Sequence, residues 1–190
     1  MEKDNRAHIL DQALQLFATR GYDGVGVQEI CASAGVTKPT LYHYFGSKRG
    51  LLTALVQERS AAFHAALAEA TTYAGDLPLS LERIATVYFT FATGEPLVYR
   101  LLIALWFIVP DSEAFQVVLA NNAEQQRLVE GLFERAAADH GNMRGRHRIY
   151  AATLIGTLNT YVGIALNGYG QIDAEAALQA VRQFSHGIYS

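Results

Sequence analysis

The residues best suited to chemistry lie close together in the segment 36–52, V-T-K-P-T-L-Y-H-Y-F-G-S-K-R-G-L-L. Lys38 can donate to guanine O6 or N7, Thr40 can donate, accept or rest on a thymine methyl, and Pro39 offers an apolar contact. His43 and Tyr44 share their face of a short helix, while Leu41 and Phe45, at i and i+4, anchor the opposite one. Thr37 is placed to cap that helix, with Lys38 and Pro39 in its first turn. Ser47 then caps a further helix that opens with Lys48 and Arg49, at the end where the macrodipole disfavours cations unless an anion lies opposite. A DNA phosphate is such an anion. Residues 30–57 contain no acid, so the positive charge of Lys38, Lys48 and Arg49 is local.

Two upstream elements must position this segment. Ile9, Ala13, Leu16 and Phe17 repeat at helical spacing, and Gly21 stops that first helix after Arg20. Residues 28–34 form a second, shorter helix with Ile30 facing inward, and Gly35 supplies the tight turn to Thr37 that a helix-turn-helix requires. Three helices therefore precede residue 47.

The runs I-L-D-Q-A-L-Q-L-F-A-T-R-G-Y-D-G at 9–24 and A-G-V-T-K-P-T-L-Y-H-Y-F-G-S-K-R-G-L-L at 34–52 resemble the TetR family of transcription regulators. The resemblance covers about the first quarter of the chain; beyond it, such proteins share a helical architecture but little sequence. It implies that the N-terminal module reads double-stranded DNA and that the remainder binds a small molecule and forms a homodimer. Carried across by position, Lys38, Pro39, Thr40 and His43 face base edges, while Thr37, Tyr42, Tyr44 and Lys48 touch the sugar-phosphate backbone; Gln28, at the start of the second helix, completes the expected interface. The alternative for Tyr42 and Tyr44 is that they only pack the small domain. Two positions depart from the family pattern. Gly26 stands where Ser or Thr usually caps the second helix, which puts one phosphate contact in doubt, and Arg49 stands where an acid is common.

Composition bounds the rest. The chain has 190 residues, 51% of them hydrophobic, and a formal charge of −3, which describes a globular protein without general basicity. Attraction to DNA should therefore depend on the local patch and on dimerisation. Cys31, the single cysteine, is expected in the core and cannot form an internal disulfide. No signal peptide is read at the N-terminus, so the cytoplasm is the expected location. The apolar run 101–109 is about half a membrane span, and 150–166 carries Gly156, Asn159 and Gly163, so both are expected as buried helices rather than spans.

The expected fold class is all-α, with about nine helices: a helix-turn-helix DNA-binding domain over residues 1–50 and a ligand-binding and dimerisation domain over 51–190. After the reader, the fourth helix is expected to run from Lys48 to about Tyr73, and the fifth from Pro78 to Thr93. The sixth opens at Pro96 and closes at Pro110. The seventh is capped by Asp111 or Ser112 and continues to about His140; the eighth covers 146–167, and the ninth starts from an Asp173 cap and nearly reaches Tyr189.

On the eighth helix Ala152, Gly156, Asn159 and Gly163 make a stripe of small or polar residues that lets another backbone approach. Ala177, Val181, Phe184 and Ile188 make a matching stripe on the ninth. Paired across a two-fold axis these give a four-helix homodimer interface; the alternative is that both face the monomer's own core. Aromatic rings gather between the fifth and seventh helices, with Phe89, Tyr99, Trp106, Phe107 and Phe115 as candidate contacts to a small-molecule effector. Asn122 and Gln126 are expected to interrupt the inward apolar stripe Phe115, Val118, Leu119, Val129, Leu132, Phe133 and Ala136, and Asn159 and Tyr161 are further candidates. Few charges lie among these rings, so a largely apolar, flat effector is expected. Buried water, a neighbouring helix or solvent would satisfy the same polar groups.

The cluster Arg144, Arg146, His147 and Arg148 reads as a solvated helix end or a set of ion pairs to acids such as Glu134 and Asp139. No glycine-rich phosphate loop, G-x-S-x-G elbow or metal-spaced His and Cys pattern occurs, so neither catalysis, a cofactor nor a metal is expected. The expected function is a ligand-responsive regulator, most simply a repressor released from an inverted-repeat operator. Activation, or a DNA-binding role without any ligand response, is the alternative.

Overall fold

The computed structural model describes residues 2–187, with the side chains of residues 2–4 and 142 excepted. Among these the chain is all-helical: α1 (Glu2–Arg20), α2 (Val27–Ala34), α3 (Lys38–Phe45), α4 (Lys48–Ala70), α5 (Leu77–Gly94), α6 (Pro96–Trp106), α7 (Glu113–Ala136), α8 (His147–Leu166) and α9 (Ala174–His186), with a short 3-10 turn at Gly141–Met143. Contacts divide the chain into two compact units. The first comprises the described residues through Ser60 together with Leu97–Asn121, and the second Ala61–Pro96 with the residues from Asn122 onward. The unit that holds the helix-turn-helix thus draws on a later piece of chain as well as on residues 1–50.

In the first unit, Ile9, Leu10, Ala13, Leu14 and Phe17 form the buried stripe of α1. They share a core with Ile30, Cys31 and Ala34 of α2, Leu41 and Phe45 of α3, and Leu51, Leu52, Leu55 and Val56 of α4. Arg6 with Glu58, and Asp11 with Arg59, form ion pairs between α1 and α4. Being half exposed, such pairs add little stability but favour one pairing of the two helices. Cys31 is a core residue, its thiol pushed up first by burial.

The second unit packs α5 on α9 and α8. The α5 face Leu81, Ile84, Ala85, Tyr88 and Ala92 is buried, as are Ala151, Leu154, Leu158 and Val162 on α8 and Val129, Leu132, Phe133 and Ala136 on α7. Phe133 meets Tyr150 and Phe184 with ring centroids 5.6 and 6.0 Å away.

Several expectations are corrected. The inward polar residues of α7 are Asn121 and Gln125, each one position before the expected Asn122 and Gln126, and Leu119 is exposed. In this phase Gln125 lies with the buried apolar face Val118, Val129, Leu132 and Phe133, and the Tyr88 hydroxyl donates to its Oε1 at 3.0 Å inside the core. Helix α6 ends at Trp106 rather than running to Pro110, and the chain turns at Phe107, whose N–H donates to Ala104 O at 3.3 Å. Helix α4 ends at Ala70, where the Thr71 hydroxyl bonds to Leu67 O at 2.9 Å and Arg135 Nη2 donates to Thr71 O at 2.9 Å, which satisfies its last turn without further helix. Helix α7 ends at Ala136, not near His140. Helix α8 is not a buried helix. By length and composition it is long and apolar enough to cross a membrane, yet only 22% of that apolar window is buried in the single chain. On α9, Ala177 and Val181 are buried within the single chain, where α9 packs on α5 and α8, rather than presented as an open stripe. Ile188, the last member of that expected stripe, lies outside the described residues.

Candidate nucleic-acid interface

The recognition segment starts from a backbone requirement. Gly35 closes α2 at φ +62°, a left-handed conformation costly for any residue with a Cβ, and so turns the chain tightly into α3. Thr37 caps α3 by accepting from Thr40 N at 3.4 Å, and its hydroxyl lies 2.9 Å from the Thr40 hydroxyl. Pro39 sits in the first turn, where its missing N–H costs nothing. Leu41 and Phe45 are buried, which fixes the helix by one face.

That packing leaves Lys38, Pro39 and His43 exposed on α3, with Thr40 half-buried beside them. Tyr42 is 45% exposed. Tyr44 is half-buried and edge-on to His43, with centroids 5.4 Å apart. Gln28 is exposed one residue into α2. Gly26 caps α2 without a side-chain hydrogen bond, as its lack of a hydroxyl requires. The one acid in the first turn of α2, Glu29, is paired with Arg20.

Lys48, at the start of α4, has partners that the sequence did not reveal. Its Nζ lies 4.1 Å from the centroid of the Tyr22 ring and 6.0 Å from that of Phe17. The Tyr22 hydroxyl donates to Glu113 Oε2 at 3.1 Å. Burial lowers the Lys48 pKa from its ordinary value, against an opposing pull from Asp23 and Glu113, and burial together with Glu113 raises that of Tyr22. Tyr22 was visible only as a letter of a motif, and no local pattern links it to a residue 91 positions away. Arg49 is exposed next to Lys48.

The candidate effector residues fall into two groups. In the first unit Tyr99 is buried, Trp106 stacks on Phe115 with centroids 5.6 Å apart and is 41% exposed, and Phe107 is 81% exposed. In the second unit Phe89 is buried and stacks on Tyr161 at 6.2 Å. Asn122, Gln126 and Asn159 are half-buried, and Gln126 Nε2 donates to Glu130 Oε1 at 2.8 Å. An open groove between α8 and α9 is lined by Tyr161, Gln179, Arg182, Gln183, His186 and Gly187.

Ala152 and Gly156 are exposed on α8, and Gly163 and Asn159 partly so. A Cβ added at Gly156 or Gly163 meets nothing of its own chain within 4 Å. Of the basic cluster, His147 pairs with Glu134 at 3.4 Å and Arg148 with Glu130 at 3.5 Å, whereas Asp139 accepts from the Tyr73 hydroxyl at 2.8 Å.

Comparison with known proteins bears on this geometry. Residues 9–55 match the family described as bacterial regulatory proteins, tetR family. The chain is 28% identical over 184 residues to the HTH-type transcriptional activator FasR of Mycolicibacterium smegmatis, covering 97% of this chain and 82% of that protein. It is 40% identical over 68 residues to the HTH-type transcriptional repressor NemR of Escherichia coli, covering 36% and 34% respectively. Among solved structures, the transcriptional regulator FadR from Bacillus subtilis in complex with stearoyl-CoA shares the fold, with a TM-score of 0.79 at 19% identity, covering 96% of this chain and 99% of that one. The fatty acid degradation regulator FadR from Bacillus halodurans has a TM-score of 0.80 at 20% identity, covering 97% and 96%.

Proposed function

We propose, from the match of residues 9–55 to the tetR family and the regulators it resembles, that this chain is a DNA-binding transcription regulator of that family rather than an enzyme, acting in the cytoplasm as a homodimeric repressor of an inverted-repeat operator. The observation that carries the DNA contacts is the face of α3: Lys38, Pro39 and His43 exposed on a helix capped by Thr37 and anchored by Leu41 and Phe45. Lys38, Pro39, Thr40 and His43 meet base edges in the major groove; Gln28, Thr37, Tyr42, Tyr44 and Lys48 hold the backbone. The dimer forms through the exposed small-residue face of α8, Ala152, Gly156, Asn159 and Gly163, a reading supported by the length of apolar helix the single chain leaves uncovered.

Selection from a random duplex library should return an inverted repeat. Lys48→Ala should weaken binding to every sequence and lower the salt slope by about 0.9 per subunit, with base preference intact. An unchanged slope removes Lys48 from the phosphate contacts.

The effector is a largely apolar small molecule that shifts the population toward a conformation unable to span successive major grooves. The Phe89–Tyr161 stack and the Tyr88–Gln125 pair support an apolar site with few polar groups, and the FadR structure with stearoyl-CoA supports an acyl chain as one such molecule. Stearoyl-CoA should release the protein from its operator while coenzyme A alone does not. Equal effects of the two would remove the apolar part from recognition, and no effect from any apolar probe would favour a regulator without a ligand response. Activation is the second reading, favoured by FasR, a relative matched over 97% of this chain.

A further inference from the structure

Lys48 does not stand alone at the start of α4. Its ammonium lies 4.1 Å from the Tyr22 ring centroid, the Phe17 and Tyr22 rings are 5.3 Å apart, and Tyr22 is itself buried. The Tyr22 hydroxyl is held by Glu113 Oε2 at 3.1 Å, and Glu113 is the first residue of α7, where the Ser112 hydroxyl accepts from Phe115 N at 3.2 Å and so caps that helix. All of these residues belong to the first unit.

A phenol that donates to a carboxylate gains electron density in its ring, and the face toward a cation becomes more attractive. The hydrogen bond also fixes the ring plane, so that the cation above it loses freedom before any phosphate arrives. Preorganisation of this kind strengthens a contact by reducing what must be ordered on binding.

We propose that Tyr22 and Glu113 are positioning residues for DNA binding: Glu113, delivered by the first turn of α7, pins the Tyr22 ring, and the ring holds the Lys48 ammonium ready for a phosphate. Residues 97–121 then contribute to operator affinity without touching DNA, and a displacement of the start of α7 loosens Lys48. This rests on the reading of Lys48 as a phosphate contact.

Two variants of equal charge isolate the link. Glu113→Gln keeps an acceptor for the Tyr22 hydroxyl, whereas Glu113→Leu removes it; both delete the same negative charge near the DNA. Operator titrations at several salt concentrations should show the Leu variant binding about three- to fivefold more weakly than the Gln variant, the size of an exposed cation–π contact. Tyr22→Phe, which keeps ring and charge, should weaken binding to a similar degree if the Leu variant fails to fold, with melting curves reporting the fold of each. In a Lys48→Ala background these differences should vanish. Equal binding by the Gln and Leu variants, or a difference that persists without Lys48, overturns the proposal. A salt slope unaffected by Lys48→Ala removes the phosphate contact itself and the proposal with it, whereas a lowered slope with equal Gln and Leu variants removes the positioning role alone.

Discussion

Gly50→Ala is expected to weaken operator binding about tenfold or more while leaving most of the helix content in place. Helix propensity alone predicts the opposite, since alanine inside a helix is favoured over glycine by about 1 kcal/mol. Packing decides the sign. A Cβ at Gly50 would overlap the Phe45 carbonyl oxygen and come within 3.2 Å of the carbonyl carbon and 3.4 Å of Ser47 Oγ. The obstacle is backbone, which cannot swing aside as a side chain does. Ser47 Oγ also accepts from Gly50 N at 2.9 Å, so the same movement disturbs the cap of α4. Overpacking of this sort costs about 1 to 3 kcal/mol, and here it falls between the last residue of the recognition helix and the helix that seats it. Operator affinity should fall by a factor on the order of 10 or more, with a lower melting temperature. A variant that melts higher and binds as tightly as the parent would show that the approach of α4 to Phe45 is looser than described.

Gly156→Leu should have the contrasting signature, a chain that folds but does not pair. Gly156 is exposed on α8, and a Cβ added there meets no atom of the monomer within 4 Å, so a side chain at this position points to open space. Across a two-fold axis each copy presents the same position to the other, and the overpacking cost of about 1 to 3 kcal/mol applies twice. The dimer dissociation constant should rise by a factor on the order of 10² or more, and two half-sites would no longer be bound as one ligand. Sedimentation across a dilution series, paired with melting curves, makes the measurement. An intact dimer at the dilution where the parent begins to dissociate moves the interface away from this face of α8.

These two glycines show what could be read from the sequence and what could not. The helix-turn-helix was legible because each joint needs a particular residue: Gly35 for a left-handed turn, Thr37 and Ser47 for caps, Leu41 and Phe45 for an anchor. Local chemistry determined the local answer. Helix α7 was harder, since Asn121 and Asn122 are identical neighbours and so are Gln125 and Gln126. Composition cannot choose between two phases one residue apart, and the hydrogen bond that Gln125 makes in the observed phase comes from Tyr88, far away in sequence. On α9 the periodicity of Ala177 and Val181 marked a face that is buried, but said nothing of what buries it; within the single chain α9 packs on α5 and α8. Helix α8 is apolar over most of its circumference, so its pattern carries little phase. The aromatic cluster was legible as a run of sequence, yet its members are shared between two units.

The discontinuous make-up of the first unit also sets an order of events during synthesis. Helices α1 to α3 emerge early from a ribosome, but the stretch that supplies Val98, Leu101, Leu102, Leu105 and Glu113 follows after α5 has been made. At about 5 to 20 residues per second, the nascent helix-turn-helix waits several seconds for the rest of its core. Cutting the chain after residue 50 makes that wait permanent. The first unit is thus completed late in translation, and a premature stop before Asn121 leaves a fragment with helices α1 to α3 and only part of the unit they belong to.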